Sequence, residues 1–243
     1  MVQKIMELFK NKRWNHRVLL VLSLMLAAYL GYEFITYPNV AVLAHENPKT
    51  TIWIEMRDDE TRAKGKRPRH FQVWEPLSSI SANLKNAVLI AEDAAFFQHD
   101  GLDYDEIREA IKINAEKMEF ARGASTITQQ LAKNLYLSPS KNPIRKLKEL
   151  LLTFSLERNL SKKRIFEIYL NVIEWGDGVY GAEAAARTYY GKSCSSLSDQ
   201  EAAALAAVII NPRHYSPIRP NRRIQYRIAM IKARMEKYQY YKK

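Results

Sequence analysis

Apolar residues recur at intervals of three and four along most of the chain after residue 78. This spacing places them on one face of a helix, so it predicts a series of amphipathic helices. Ser78 or Ser79 can cap the first helix, which continues to about Ala95. Asp103 and Glu106 begin the second in a capping-box-like arrangement. The other predicted helices cover residues 126–136, 144–159, 161–173, 178–190, 198–211 and 221–240.

Strand patterns are scarce. An alternation of apolar and polar residues is limited to Thr51–Glu55. No internal repeat and no second domain are visible in the remaining sequence. The sequence therefore predicts a single all-α globular domain.

A continuous apolar segment near the N-terminus predicts a membrane anchor. Residues 18–37 contain Glu33 as their only charged residue. Twenty helical residues at about 1.5 Å each span roughly the 30 Å of a bilayer core. A cleaved signal peptide is the alternative, but no convincing small-residue cleavage site follows the apolar run.

The charges around this segment predict its orientation and the domain limits. Five basic residues and one acidic residue precede Val18, so the positive-inside rule keeps this end in the cytoplasm. Residues 55–70 are charged, contain Gly65 and Pro68 and lack apolar periodicity, which predicts a solvated loop. The predicted parts are a basic cytoplasmic tail (1–17), a transmembrane anchor (18–37), a juxtamembrane linker or loop (38–70) and an extracytoplasmic domain (71–243).

Composition narrows the possible partners. The 243 residues include 38 Lys and Arg against 26 Asp and Glu, a net charge of +12 that favours an anionic partner. Because the basic domain is expected outside the cytoplasm, anionic lipid is favoured over nucleic acid. The single Cys194 excludes an internal disulfide and a cysteine-rich metal site. It lies in a predicted loop and has no assigned role.

The first candidate site is the segment EDAAFFQHDG, residues 92–101. Glu92 lies at the border of the predicted buried stripe, where burial raises a carboxyl pKa toward the range of a general base. Taken alone, the segment is better explained as an ordinary helix end with a solvated acidic pair. His99 has no second histidine at ligand spacing, so it is interpreted as a hydrogen-bonded structural residue and not as a zinc ligand.

Two polar clusters follow, RGASTITQQLAKN (122–134) and RKLKELLLTFSLE (145–157). The first contains more hydroxyl and amide side chains than a solvated helix face requires, and its predicted helix N-terminus favours an anion. In the second, Arg145 and Glu149 are i,i+4 neighbours and Lys146 reaches the same end. An exposed pair of this kind contributes only about 0.3–0.5 kcal/mol, so by itself it does not indicate function.

In this order, the clusters resemble the motif set of the peptidoglycan glycosyltransferases, the monofunctional biosynthetic enzymes that share their module with class A penicillin-binding proteins. The resemblance continues through SKKRIFEIYLN (161–171) and GVYGAEAAARTYYGK (178–192) and covers residues 74–217. Five ordered motifs in one chain are highly specific. The resemblance implies a lysozyme-like α-helical domain that polymerises lipid II into glycan strands at the outer face of the bacterial cytoplasmic membrane.

Roles follow from the resemblance residue by residue. Glu92 is the implied general base that takes the proton of the acceptor 4-hydroxyl, in an inverting transfer that forms a β-1,4 link. Glu149 matches a second glutamate, which would assist the leaving group, organise the donor site or hold a metal. Lys133, Arg145 and Lys146 match residues that bind the donor pyrophosphate. The implied sugar and phosphate subsites are lined by Ser125, Thr126, Gln129, Gln130 and Asn134.

The same resemblance sets expectations for cofactors and partners. No obligatory cofactor is implied, although a divalent cation (Mg²⁺ or Mn²⁺) is compatible with Glu149 beside a pyrophosphate. The expected partners are lipid II, the growing glycan strand and the lipids of the cytoplasmic (inner) membrane, with other cell-wall synthases as candidates. No SxxK motif accompanied by its partner motifs is present, and about 26 residues follow Pro217. We therefore expect no transpeptidase activity.

Alternatives remain open at this point. A lysozyme-like domain with a catalytic glutamate could cleave glycan, although a hydrolase has no pyrophosphate for the cationic set to bind. A non-catalytic scaffold is disfavoured by intact candidates at both glutamate positions. The basic helix at 221–240 either rests on anionic headgroups or packs on the domain. Met118 and Phe120 either contact lipid at a mobile lip or are buried.

Overall fold

The computed structural model describes residues 12–118, 123–140, 142–238 and 241, in two compact units that comprise residues 1–39 and 40–243. The first unit contains helix α1, Lys12–Ile35. Among the described residues, its segment His16–Glu33 is the one helical stretch long and apolar enough to cross a membrane. Leu20 and Leu24 are about three-fifths exposed, which an apolar helix tolerates only in an apolar surrounding. Helix α1 thus has the length and surface of a membrane anchor.

The second unit begins with a short 3₁₀ turn, Val40–Ala44, followed by helix α2, Ile52–Ala63. The Thr51 hydroxyl caps α2 by accepting the backbone N–H of Ile54 at 3.1 Å. The prediction of a loop is therefore wrong over residues 55–63. The strand predicted at Thr51–Glu55 is not formed either, because residues 52–55 are the first turn of α2 and Thr51 is its cap.

The charged residues that suggested a solvated loop stabilise helix α2. Arg57 pairs with Glu60 at 3.0 Å and Arg62 pairs with Asp59 at 2.8 Å, both at i,i+3 spacing. Ion pairs of this spacing support a helix whose apolar positions are few. A charged segment without apolar periodicity was thus mistaken for a loop.

The remaining helices confirm the predicted all-α class. Helices near 126–136, 144–159, 161–173 and 221–240 were predicted closely. The cap of the first domain helix is Ser81, beyond the two predicted serines. The helix predicted from residue 178 begins only at Ala182. The helices are α3 (Ala82–Glu92), α4 (Tyr104–Lys117), α5 (Ile127–Tyr136), α6 (Pro143–Asn159), α7 (Lys162–Val172), α8 (Ala182–Tyr190), α9 (Asp199–Val208) and α10 (Arg222–Lys237).

A small three-stranded sheet explains why α8 begins late. Its strands are β1 (Phe71–Gln72), β2 (Glu174–Gly176) and β3 (Val179–Tyr180), in the order β1-β3-β2. Strand β1 is parallel to β3, with Phe71 opposite Val179, and β2 is antiparallel to β3. The β2–β3 turn needs Gly178, because φ is +72° there and an added Cβ would lie 2.2 Å from the Arg69 carbonyl oxygen.

Helix α3 lies in the middle of the core. It packs against α9 and α10, while α5 packs against α6 and α7. Leu84 and Val88 of α3 are fully buried, as is Leu205 of α9. The alanines of α9 allow its backbone to approach α3 closely. The buried sides of α3 fix the position of its last residue, Glu92.

The C-terminal helix α10 packs on the domain. Ile224, Ile228, Ile231 and Met235 form its apolar face and are all buried. This face contacts α9 and α3, so it is not available to a membrane. Of the two alternatives for this helix, packing on the domain is therefore correct for its apolar face.

Cys194 begins a short 3₁₀ turn, Cys194–Ser196, and its side chain is fully buried. Its backbone N–H donates to the buried carboxylate of Glu183 at 2.7 Å. Burial and the nearby Glu183 charge raise the pKa of the thiol. The cysteine thus serves as a small apolar core residue.

Candidate active site

Glu92 ends helix α3, and its side chain is only 11% exposed. Gln130 Nε2 donates to one carboxylate oxygen at 3.0 Å, and Arg227 donates to the other at 2.9 Å. Burial raises the pKa of Glu92 above that of a free glutamate, although the partners Gln130 and Arg227 and the nearby Lys133 act in the opposite direction. The result is a carboxylate with an increased affinity for a proton, as a general base requires.

Tyr169 fixes the orientation of the Gln130 amide. Its hydroxyl donates to Gln130 Oε1 at 3.0 Å, which turns the amide NH₂ toward Glu92. Burial raises the pKa of Tyr169 well above its ordinary value, so the hydroxyl remains a donor. The chain Tyr169–Gln130–Glu92 therefore holds the carboxylate from the core side.

Asp93 joins the end of α3 to the start of α5. One of its oxygens accepts the backbone N–H of Ile127 at 2.9 Å, and the other contacts His99 Nε2 at 3.0 Å. His99 is thus hydrogen-bonded, as predicted for a structural histidine. Asp93, His99 and Asp103 place ligand atoms within 4.8 Å of one another, but Asp103 caps α4 through the Glu106 N–H at 2.8 Å. These contacts give the group a structural role.

The start of α5 explains much of the polar sequence there. Thr126 and Gln129 form a reciprocal capping box, and both are buried. The Thr126 hydroxyl also donates to the Gly101 carbonyl at 2.7 Å. Ser125 is exposed beside this cap. The contribution of Ser125, Thr126 and Gln129 to substrate binding stays a prediction.

Glu149 lies on the inner side of α6 and is 4% exposed. Arg145 donates to one of its oxygens at 2.7 Å, and Lys146 donates to the other. Burial lowers the pKa of Lys133, and the charges of Glu149 and Glu92 both oppose this effect. Lys133 therefore interacts electrostatically with both glutamates and also with Arg145 and Lys146, so the predicted cations form one electrostatic cluster.

A cleft of about 240 Å³ opens beside this cluster. Gln130, Lys133 and Asn134 form the α5 side of it. The Asn134 amide donates to the Gln130 carbonyl at 2.8 Å, one turn earlier. The other sides come from α2, from strand β2 and its preceding residue, and from the segment after α9. They are lined by Trp53, Arg57, Ile173, Glu174, Ile209, Ile210, Asn211, Pro212 and Arg213.

Three residues around the site were not predicted from the sequence: Arg227 beside Glu92, and Trp53 and Arg57 in the cleft. Arg227 was treated only as part of a basic helix, although it lies within the apolar stripe between Ile224 and Ile228. A charge at such a position is a signal of a buried ion pair. Trp53 and Arg57 were placed in the linker, although their i,i+4 spacing puts them on one face of α2.

Several known proteins are similar to this chain over most of its length. Residues 60–236 match the family model described as Transglycosylase. The chain is 43% identical over 224 residues to a protein of Nitrosospira multiformis named biosynthetic peptidoglycan transglycosylase, covering 92% of this chain and 96% of that one. Proteins of the same name from Dechloromonas aromatica and Aromatoleum aromaticum are 44% and 46% identical, over 92% and 82% of this chain and 95% and 85% of theirs.

Proposed function

The chain belongs to the transglycosylase family, and we propose that it polymerises lipid II into peptidoglycan glycan strands by an inverting transfer. It is a peptidoglycan glycosyltransferase. The observation that carries the finer proposal is the largely buried carboxylate of Glu92, which interacts with Lys133, while Lys133 also interacts with the Arg145–Lys146–Glu149 group. A carboxylate base beside an anion site suits a reaction in which a phosphate-bearing group leaves.

Glu92 is the proposed general base. It takes the proton of the acceptor 4-hydroxyl while that oxygen attacks the anomeric carbon of the donor. The bond from this carbon to the diphosphate oxygen breaks on the opposite side, so an α-linkage becomes a β-1,4 link. Each oxygen of Glu92 accepts one hydrogen bond from the protein, which leaves further acceptor capacity for the hydroxyl.

The cationic cluster is proposed to bind the leaving diphosphate. Negative charge develops on that group as the bond breaks, and charged donors stabilise it in a partly dehydrated site. Arg145 and Lys146 are each held by Glu149, so their positions are set before the substrate binds. Glu149 is accordingly proposed to organise the donor site.

We propose that a divalent metal ion at Glu149 is not obligatory. Both carboxylate oxygens accept from cations of the same helix, and a metal would have to displace them. The cations supply the positive charge that Mg²⁺ or Mn²⁺ would otherwise bring to a diphosphate.

The membrane location is part of the proposal. The basic residues before α1 favour a cytoplasmic N-terminus in the inner membrane and a catalytic domain outside. Ile144, Leu147, Leu151 and Phe154 form a stripe on the outer side of α6, and each is about half exposed. Such a stripe suits contact with the lipid in which the substrate is anchored. Met118, the residue that follows α4, is 93% exposed, whereas Phe120 lies outside the described residues.

The proposed activity is limited to glycan formation. No SxxK motif accompanied by its partner motifs occurs in the sequence, so no group is assigned to peptide cross-linking. The growing strand, membrane lipids and other cell-wall synthases are the proposed partners, and nucleic acid is not.

Incubation of the detergent-solubilised protein with labelled lipid II tests the proposal. We expect a ladder of polymer products on a gel, and lysozyme treatment should remove this ladder. The ladder should form both with and without a chelator in the incubation. Release of fragments from preformed glycan, without a ladder, would instead indicate a cleaving enzyme. A ladder that forms only with added Mg²⁺ or Mn²⁺ would contradict the proposal that a divalent metal ion is not obligatory.

A further inference from the structure

We propose that helix α2 forms one wall of the substrate cleft and contributes to catalysis, and that its Trp53 is a positioning residue for Lys133. In this view the indole ring directs the Lys133 ammonium toward the diphosphate of the donor. The inference rests on the proposed function. Trp53 and Arg57 both precede residue 60, where the match to the family model begins.

The contact between the two side chains is the first support. Lys133 Nζ lies 5.5 Å from the centroid of the Trp53 ring, and the Arg57 guanidinium carbon lies 5.2 Å from it. A cation within about 6 Å of an aromatic face is attracted to it, and tryptophan gives the strongest attraction. The ring therefore attracts both Lys133 and Arg57.

The second support comes from the hydrogen bonds and ion pairs of the three cations Lys133, Arg145 and Lys146. Arg145 and Lys146 both pair with Glu149. Among the residues that the structure describes, none forms an ion pair or a hydrogen bond with the Lys133 ammonium. Its three N–H donors are thus open to phosphate oxygens, while the ring limits where the ammonium lies.

A network of charges holds α2 in place as a wall. Arg57 lies 3.0 Å from Glu60 and 3.5 Å from the largely buried Glu174 of β2. Arg213, after α9, lies 3.3 Å from Glu60 and 3.0 Å from Asp177. These contacts join α2 to the sheet and to the segment after α9, which form the other sides of the cleft. The position of Trp53 is therefore set by the body of the domain.

The test compares two replacements of Trp53 in the full-length protein in detergent. Trp53→Phe keeps an aromatic face, whereas Trp53→Leu keeps an apolar side chain without one. We expect kcat/KM for lipid II to fall about tenfold in Trp53→Leu and less than about threefold in Trp53→Phe. Ile52→Ala, a change at the neighbouring residue that does not line the cleft, should leave the rate unchanged. Equal rates for the two Trp53 variants would overturn the inference.

A double-mutant cycle asks whether Trp53 acts through Lys133. In a Lys133→Gln background, Trp53→Leu should cause no further loss, because the ammonium that the ring positions is already gone. An equal loss in both backgrounds would indicate a separate structural role and contradict the proposal. If Trp53→Leu does not fold, Trp53→Phe replaces it in the cycle, and its smaller loss should likewise vanish.

The same assay separates the two proposals. A wild-type protein that forms no polymer from lipid II contradicts the proposed function. An active wild type whose Trp53 variants match it contradicts only the role of α2.

Discussion

Glu92 and Glu149 are the two glutamates proposed to act in the reaction, and they are held in different ways. The partners of Glu92 come from two other helices, Gln130 from α5 and Arg227 from α10. The partners of Glu149 lie three and four residues earlier on its own helix. The environment of Glu92 thus depends on the tertiary fold, whereas the cations beside Glu149 are supplied by its own helix.

The difference corresponds to two kinds of chemistry. Glu92 has a raised pKa because burial outweighs its partners, which favours taking a proton. Glu149 has a cation on each oxygen, which favours holding those cations in place. The variants below separate the two glutamates by activity, stability and pH dependence.

The largest effect is expected for Glu92→Gln. The amide cannot accept the hydroxyl proton, so polymerisation of lipid II should fall by about 10³-fold or more. The change is nearly isosteric, and thermal melting should show a folded protein. Glu109→Gln, an exposed carboxylate on α4, is the matched control and should retain full activity. Substantial polymer formed by Glu92→Gln would remove this residue from the role of base.

Glu149→Gln should give a smaller loss of activity with a measurable loss of stability. Removing the charge leaves Arg145 and Lys146 without a counter-ion, and the partial exposure of both limits the cost to about 1 kcal/mol. We expect polymerisation to fall about tenfold, because the diphosphate site loses its fixed geometry. Denaturant unfolding measures the stability of Glu149→Gln and of Glu92→Gln, and we expect the lower midpoint for Glu149→Gln. Equal unfolding midpoints in the two variants would contradict it.

The pH profile provides a third comparison. Glu92 must be ionised to act, so activity should fall as the pH drops through its raised pKa. Arg227→Met removes a charge that favours the ionised form, so the acidic limb of kcat/KM should move to higher pH by about one unit. Arg223→Met, an exposed change on the same helix, should leave the limb in place. A shift to lower pH would show that Arg227 does not stabilise the ionised carboxylate.

The smallest effect concerns the outer side of α6, opposite Glu149. Leu147→Ser combined with Phe154→Ser should lower activity a few-fold in liposomes and leave activity in detergent unchanged, because only lipid contact is removed. Tyr226→Ser, at an exposed position on α10, serves as the control. Equal losses in liposomes and in detergent would indicate damage to the site and not to membrane contact.

The features that were predicted from sequence are local ones. The cap at Asp103 is one example, since Asp103 accepts the backbone N–H of Glu106 only three residues later. The pairing of Arg145 with Glu149 is another, because i,i+4 neighbours on a helix meet whatever surrounds them. Most helix bounds follow from the same short-range periodicity.

The features that were missed depend on distant parts of the chain. Arg227 meets Glu92 across 135 residues, and no spacing along the sequence indicates that contact. The function of α2 depends on Glu174 and Arg213, which lie far from it in sequence. The sequence therefore indicated the glutamates and cations of the site. It did not indicate that α10 and α2 contribute to it.

The buried thiol of Cys194 has a practical consequence for labelling experiments. It is the only cysteine in the sequence, it is fully buried, and its raised pKa keeps it in the unreactive thiol form at neutral pH. A cysteine introduced on the surface should thus react selectively with a maleimide while the native residue stays in place. Fluorophores on the outer side of α6 can then report its depth in a bilayer without a cysteine-free background.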